Sequence, residues 1–322
     1  MLEHRFAQFA AACTFVLLII GGTVNPTGSS LACPEPTMIC HGQFLPEMTG
    51  GVLYEHGHRL AAMSVGLFQI ALTVLLLRRR KGQPGMKLLA WATLGMVVLQ
   101  GALGAITVGF KLPWFVSTGH LLLGMSYFAT LLYVAWRTRP TRDGEEPARR
   151  QRAAAFAPAR RWVALAVGMV FVQLLLGALV RHSEATLACI GMPTCTLGGE
   201  WFPAAWVQRL HMIHRGFGVL VGLVTITAAV QVWRQAAGWR TLRTMMVAAV
   251  AAVLLQITLG IYVVLTLRAV PIAVAHFAGA ATLWGLWTYA WYMTSLRDRG
   301  AATSGDAQRP VLAPVRGVHA VP

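Results

Sequence analysis

The chain has 322 residues, 56% of them hydrophobic and 12% charged, with a formal net charge of +16. A soluble domain carries about a quarter charged residues, so this composition excludes an ordinary soluble fold and points to a polytopic membrane protein with the lipid bilayer as its partner. The Lys and Arg residues cluster between alternate apolar runs instead of forming one patch, which excludes nucleic acid as a partner.

The first apolar run covers about Phe6 to Val24. It has the length of a signal peptide, but Gly21-Gly22-Thr23 follows with no small-x-small cleavage pattern, and it is read as a span. A polar loop with Cys33 and Cys40 leads to span two, about Glu55 to Leu77, which ends in Arg78-Arg79-Arg80-Lys81. Span three is about Leu88 to Val108 and span four about Ser117 to Trp136, joined by a short loop with Trp114 and Phe115 that suits a membrane interface. Residues 137–161 are basic and contain Pro140, Pro147 and Pro158, and read as a flexible connector. Span five is about Trp162 to Arg181, followed by a loop with Cys189 and Cys195. Spans six, seven and eight are about Arg209 to Trp233, Thr244 to Leu267 and Pro271 to Ser295. Residues 296–322 read as a disordered tail. Of the 27 basic residues, 21 fall on the side of the linker and the tail. By the positive-inside rule both termini are cytoplasmic and both Cys loops lie outside.

The two halves repeat. An offset of 156 aligns Leu31-Ala32-Cys33 with Leu187-Ala188-Cys189, His58-Arg59 with His214-Arg215, Leu103-Gly104 with Leu259-Gly260, and His120 with His276. Each copy has an even number of spans, so both share one orientation. The expected fold is an all-α integral membrane protein of eight transmembrane helices. They form two tandem four-helix bundles related by a pseudo-two-fold axis along the membrane normal. The N-terminal bundle takes residues 1–136, the cytoplasmic linker 137–161, the C-terminal bundle 162–295 and the cytoplasmic tail 296–322.

His58, His120, His214 and His276 all fall in the outer part of an even-numbered span. Two imidazoles from facing helices of a four-helix bundle suit axial ligation of a haem iron. Zinc would take more ligands at closer spacing. Arg59 and Arg215 follow a ligand directly and sit where they either pair with haem propionates or snorkel at the interface. Three residues before the ligand, the first half has Glu55 and the second His211. Glu55 is a candidate proton donor or oxygen-activating group, or else a charge favoured at a helix start. On the first reading the N-terminal half does chemistry and the C-terminal half carries electrons. The four loop cysteines allow three connectivities, and the repeat favours Cys33–Cys40 and Cys189–Cys195, as staples over each bundle mouth more than as exchanging thiols.

These residues together resemble the haem A synthase family. The resemblance covers about residues 6 to 295 and rests on Gly21-Gly22-Thr23, Thr27-Gly28-Ser29, Leu31-Ala32-Cys33, Glu55-x-x-His58-Arg59, His120, Cys189, Cys195, His214-Arg215 and His276. It implies an oxidoreductase of the cell membrane that converts haem O to haem A, oxidising a ring methyl to a formyl group for cytochrome oxidase biogenesis. It implies that His214 and His276 hold a resident haem b, that His58 and His120 face the substrate haem O, and that Glu55 is the essential carboxylate. The partners implied are a haem O synthase and an electron donor; a homo-oligomer stays open. Asn25 stands where the family often has Arg, which this chain keeps in the second half as Arg181. The first Cys loop departs from the family's Asp-Trp-Pro, and His41, His56 and His182 are additional. The alternative is a diheme b-type electron-transfer cytochrome, which needs every ligand histidine but not Glu55. A transporter is disfavoured because no carboxylate lies at mid-membrane depth.

Overall fold

The computed structural model describes residues 1–140 and 156–295. Among them the regular structure is helical: α1 (Leu2–Val24), α2 (Gly50–Arg79), α3 (Met86–Gly109), α4 (Trp114–Thr138), α5 (Ala157–His182), α6 (Trp206–Gln235), α7 (Arg240–Leu265) and α8 (Val270–Thr294), with a 3-10 turn at Ala185–Leu187. All eight helices are long and apolar enough to cross a membrane. Where no water reaches, a helix satisfies every backbone group within itself. The fold is that of an all-α integral membrane protein. Large apolar side chains such as Leu67, Val98, Leu223 and Leu254 are exposed along the helices, as a lipid-facing surface requires.

The helices begin earlier than the apolar runs. α2 starts at Gly50, with Thr49 as N-cap, so Glu55 lies in its second turn and caps nothing. The helix-start reading of Glu55 is thereby overturned. α2 and α6 have 30 residues each, about 45 Å at 1.5 Å per residue, against a hydrocarbon core of ~30 Å. Their excess turns carry Glu55 and His58, and His211 and His214, to one end of the molecule. α4 runs on to Thr138 and α5 opens at Ala157, so the ends of the 137–161 connector are helical. Residues 141–155 of that connector, and the tail at 296–322, lie outside the described residues.

Helix contacts form two rings. α1 packs on α2 and α4, and α3 on α2 and α4; in the same way α5 packs on α6 and α8, and α7 on α6 and α8. The rings meet through α4 with α8, α4 with α5 and α1 with α8. The seam is fastened by polar groups at apolar depth. The Trp284 indole N–H donates to the Met125 carbonyl at 2.9 Å, and the Tyr292 hydroxyl to that of Ala129 at 3.0 Å. Inside the first ring Gln69 donates to Thr73 and Thr93 and accepts from Tyr127 at 2.8 Å, which ties α2, α3 and α4 together. In hydrocarbon such bonds are retained because the polar groups have few other partners.

Candidate haem-binding site

Each of the four expected ligand histidines lies against a glycine of the neighbouring helix. A Cβ added at Gly21 of α1 would sit 2.8 Å from the His58 ring. The same addition would come 3.3 Å from His120 at Gly104 of α3, 3.1 Å from His214 at Gly177 of α5, and 3.1 Å from His276 at Gly260 of α7. The histidines therefore fill notches that only glycine leaves open. All four are half-buried. His58 lies within electrostatic reach of His120, and His214 of His276, so the repeat brings the two expected pairs together.

A cavity of about 920 Å³ lies in the second ring, lined by both His214 and His276. Its walls are apolar, with Val170, Leu174, Ile257 and Leu283 among them. Arg181, Arg209, Arg215 and Arg268 also line it, and among the described residues no carboxylate does. Leu121, the chain neighbour of His120, reaches it from the first ring, with Asn25 and Pro26. Two imidazoles, apolar walls and several unopposed guanidiniums fit a flat apolar macrocycle with two carboxylates. Among the described residues, the cluster of three zinc-type ligands is Cys33, Cys40 and His56. Its two sulfurs are joined to each other, which leaves no thiolate pair for zinc.

The cysteines pair as Cys33–Cys40 and Cys189–Cys195. Each disulfide loop is gripped by the arginine that follows a ligand histidine. Arg59 donates to the carbonyls of Glu35 and Thr37 at 2.6 Å, of Cys33 at 3.1 Å and of Ile39 at 3.3 Å, and pairs with Glu55 at 2.5 Å. Arg215 donates to the carbonyls of Cys189 at 2.6 Å, Gly191 at 2.8 Å and Thr194 at 3.2 Å. Both guanidiniums are thus occupied as loop anchors, a use that neither the propionate nor the snorkelling reading contained. Arg215 keeps a buried Nε with no partner and still faces the cavity. Arg181, which the sequence shows only as the second-half copy of a family arginine, faces the cavity together with Arg209 and Arg268. Arg181 also binds the halves together, donating to the Gly22 carbonyl at 3.0 Å and lying 5.3 Å over the Phe277 ring.

Glu55 is 4% exposed. Its Oε2 accepts the Cys33 amide at 2.9 Å and its Oε1 pairs with Arg59. The carboxylate is therefore fixed to the disulfide loop, one turn from His58. Its counterpart His211 is equally buried and faces the second cavity, with no partner for Nδ1. His56, for which the sequence offers no role, is fully buried beside the disulfide, and its ring N–H donates to the Phe44 carbonyl at 2.9 Å. His41 donates to the Ala32 carbonyl at 2.9 Å. His182 meets Thr118 across the seam at 3.4 Å. Outside the spans, its own amide and those of Gly42 and His41 hold the Glu35 carboxyl below the usual carboxylate range.

The two staples should differ in consequence. Replacing Cys189 and Cys195 by Ser should lower stability by about 2–4 kcal/mol, the usual worth of a disulfide, read as a lower melting temperature in detergent. Replacing Cys33 and Cys40 should cost the same stability and in addition release the backbone that Glu55 binds. The first pair should therefore reduce activity more, per degree of melting temperature lost, than the second.

The chain is similar over residues 43–288 to the COX15-CtaA family, described as cytochrome oxidase assembly protein. Among curated proteins it is 29% identical to a "Heme A synthase" from Shouchella clausii over 92% of this chain and 98% of that one. It is 28% identical to one from Exiguobacterium sibiricum, over 90% and 96%, and 28% to one from Symbiobacterium thermophilum, over 90% and 95%.

Proposed function

The chain belongs to the COX15-CtaA family of cytochrome oxidase assembly proteins, and we propose that it is a haem A synthase, an oxidoreductase that converts haem O to haem A. The observation that carries the reading is a chemical difference between the two repeated histidine sites: the buried carboxylate of Glu55 in the first ring against His211 in the second. A pure electron carrier needs the histidines alone.

In this reading the first ring is the substrate site. His58 and His120 face the iron of haem O, and Glu55 serves the methyl group under oxidation. With Arg59 on Oε1 and the Cys33 amide on Oε2, Glu55 is a fixed carboxylate. The methyl reaches the formyl level by two hydroxylations and loss of water from the geminal diol, with O2 and the donor's electrons, or an equivalent oxidant, supplied from outside the chain, and Glu55 would accept a proton released from the methyl. His214 and His276 would hold haem b in the second ring, and Arg181, Arg215 and Arg268 would offset the charge of its carboxylates. Haem b would supply one-electron transfer. The chain's own contribution there is to keep the ligands in place and water out through apolar walls. The two rings, exchanged by the 156-residue repeat, meet through a set of helix pairs that exchanges with itself, which supports a pseudo-two-fold arrangement.

A haem O synthase supplies the substrate, an electron donor serves the haem b side, and cytochrome oxidase assembly consumes the product. The 21 basic residues in the N-terminal stretch, the linker, the two short turns and the tail of the sequence support a place in the cell membrane with both termini cytoplasmic and the disulfide loops outside.

The test is extraction of pigments from cells making this protein together with a source of haem O. Haem A should appear. Finding haem O and haem B alone would leave the diheme cytochrome. A finer test uses the glycine notches. Gly260→Val puts a branched side chain where a Cβ alone already lies 3.1 Å from His276. It should reduce bound haem b about tenfold, since displaced ligands cost at least what lost outer contacts do, as measured by haem content per purified chain.

A further inference from the structure

Three of the four histidines share a device that the fourth lacks. Gln100 on α3 donates through Nε2 to the main-chain carbonyl of His120 at 2.9 Å. Gln173 on α5 does so to His214 at 3.1 Å, and Gln256 on α7 to His276 at 2.8 Å. Each glutamine stands four residues before the glycine that receives its histidine, at Gly104, Gly177 and Gly260.

The histidine's own helix makes room for the glutamine. A Cβ at Gly124 would lie 3.0 Å from the Gln100 amide nitrogen, and one at Gly218 3.1 Å from that of Gln173. A Cβ at Gly279 would strike the Gln256 amide oxygen. Each of these glycines comes three or four residues after the histidine, one helical turn on. At His58 both parts are replaced together. Four residues before Gly21 stands Leu17, and one turn after His58 stand Ala61 and Ala62.

An imidazole that gives Nε2 to iron carries its proton on Nδ1. The acceptor for that proton fixes the ring and raises its basicity as a ligand. Gln100, Gln173 and Gln256 each keep a buried amide oxygen with no partner, on the side chain that already holds the histidine. His276 also has an acceptor in the Gln256 main-chain carbonyl at 3.2 Å. His58 and His120 both have a buried Nδ1 with no partner, but the Gln100 amide lies 3.4 Å from the His120 ring and the Gln173 amide 3.2 Å from that of His214, whereas His58 has a leucine where the amide would be.

We propose that His58 is the releasable ligand of the substrate haem, and that Gln100, Gln173 and Gln256 are positioning residues that fix the other three histidines. Haem b then lies between two fixed rings and stays. The haem of the first ring lies between one fixed ring, His120, and one that lets go, so that substrate enters and product leaves. The proposal rests on the haem A synthase reading for what the two sites hold.

The test uses the full chain in detergent, reconstituted with haem b in both rings as the probe and mixed with excess apomyoglobin as acceptor. Haem transfer is followed by absorbance with no turnover. The wild type should release haem in a fast and a slow phase. Leu17→Gln combined with Ala62→Gly, which rebuilds glutamine and slot, should slow the fast phase about 10- to 100-fold, the usual effect of an outer-shell partner on metal affinity, and leave the slow phase alone. Gln173→Leu should speed the slow phase by a similar factor and spare the fast one. Ala62→Gly alone and the melting temperature control for misfolding. A fast phase within twofold of wild type in the rebuilt, fully folded protein overturns the proposal, as does a wild type with no fast phase. Absence of haem A from pigment extracts would instead remove the synthase reading and leave the release rates as they are.

Discussion

Glu55→Gln should abolish haem A formation while leaving both the fold and the bound haem in place. The substitution is close to isosteric, and the amide oxygen still accepts the Cys33 N–H that Oε2 accepts now. What disappears is the charge opposite Arg59 and the ability to take a proton. Removing one partner of a buried pair can cost 3–5 kcal/mol when the other charge is left alone. Arg59 is not left alone. It keeps the carbonyls of Cys33, Glu35, Thr37 and Ile39, so the loss of stability should be a fraction of that range. A positioned proton acceptor is worth about 10²–10⁴ in rate, and haem A in pigment extracts should fall by that factor with unchanged haem content and a melting temperature lowered by only a few degrees. Arg59→Leu is the contrast. It frees the whole loop, and should lower the melting temperature along with activity. If Glu55→Gln retains more than a tenth of wild-type haem A, the proton-accepting role is wrong and Glu55 serves to anchor the loop.

The sequence shows most of the plan because the two strongest signals, apolar length and exact repetition, need no knowledge of packing. Eight spans and four repeated histidines follow from them, and the structure puts His58 with His120 and His214 with His276. Hydropathy sees only the apolar part of a helix. The charged cluster Glu55 to Arg59 interrupts the apolar run, so the expected span opens at Glu55, whereas α2 already begins at Gly50 and Glu55 lies in its second turn. The arginines illustrate a different limit. Arg59 and Arg215 sit beside ligands in sequence, but their donors are claimed by loop carbonyls some twenty residues upstream, and a loop's path cannot be read from residue spacing. The glutamines are the third kind of omission. A lone Gln in an apolar run is ambiguous until the facing helix is known, although Gln100 and Gln256 share the 156-residue offset. Gln173 has no repeat partner, since Leu17 occupies the matching position, and only the structure connects it to His214.

His214→Ala and His276→Ala should each strip haem b from the second ring while leaving the first ring's ligands intact. Each removes a group that the iron would bind directly, so the loss in affinity should exceed the ~10–100-fold that outer-shell changes produce. The purified protein should lose the corresponding reduced-minus-oxidised absorption almost completely. The fold should survive, because both histidines already face a cavity of about 920 Å³ and the helices around them are joined by the α4–α8 seam and the disulfide loop. Each truncation leaves a glycine notch and an empty imidazole-shaped space, at Gly177 for His214 and at Gly260 for His276. Free imidazole should therefore enter and restore part of the spectrum. That rescue separates ligation from mere support of the fold, since a protein that had lost its packing would not recover on adding a small base. An unchanged spectrum in either variant would show that the iron is held elsewhere. Loss of haem without imidazole rescue, in a protein with normal helical content, would assign the histidine to packing and remove the ligand role.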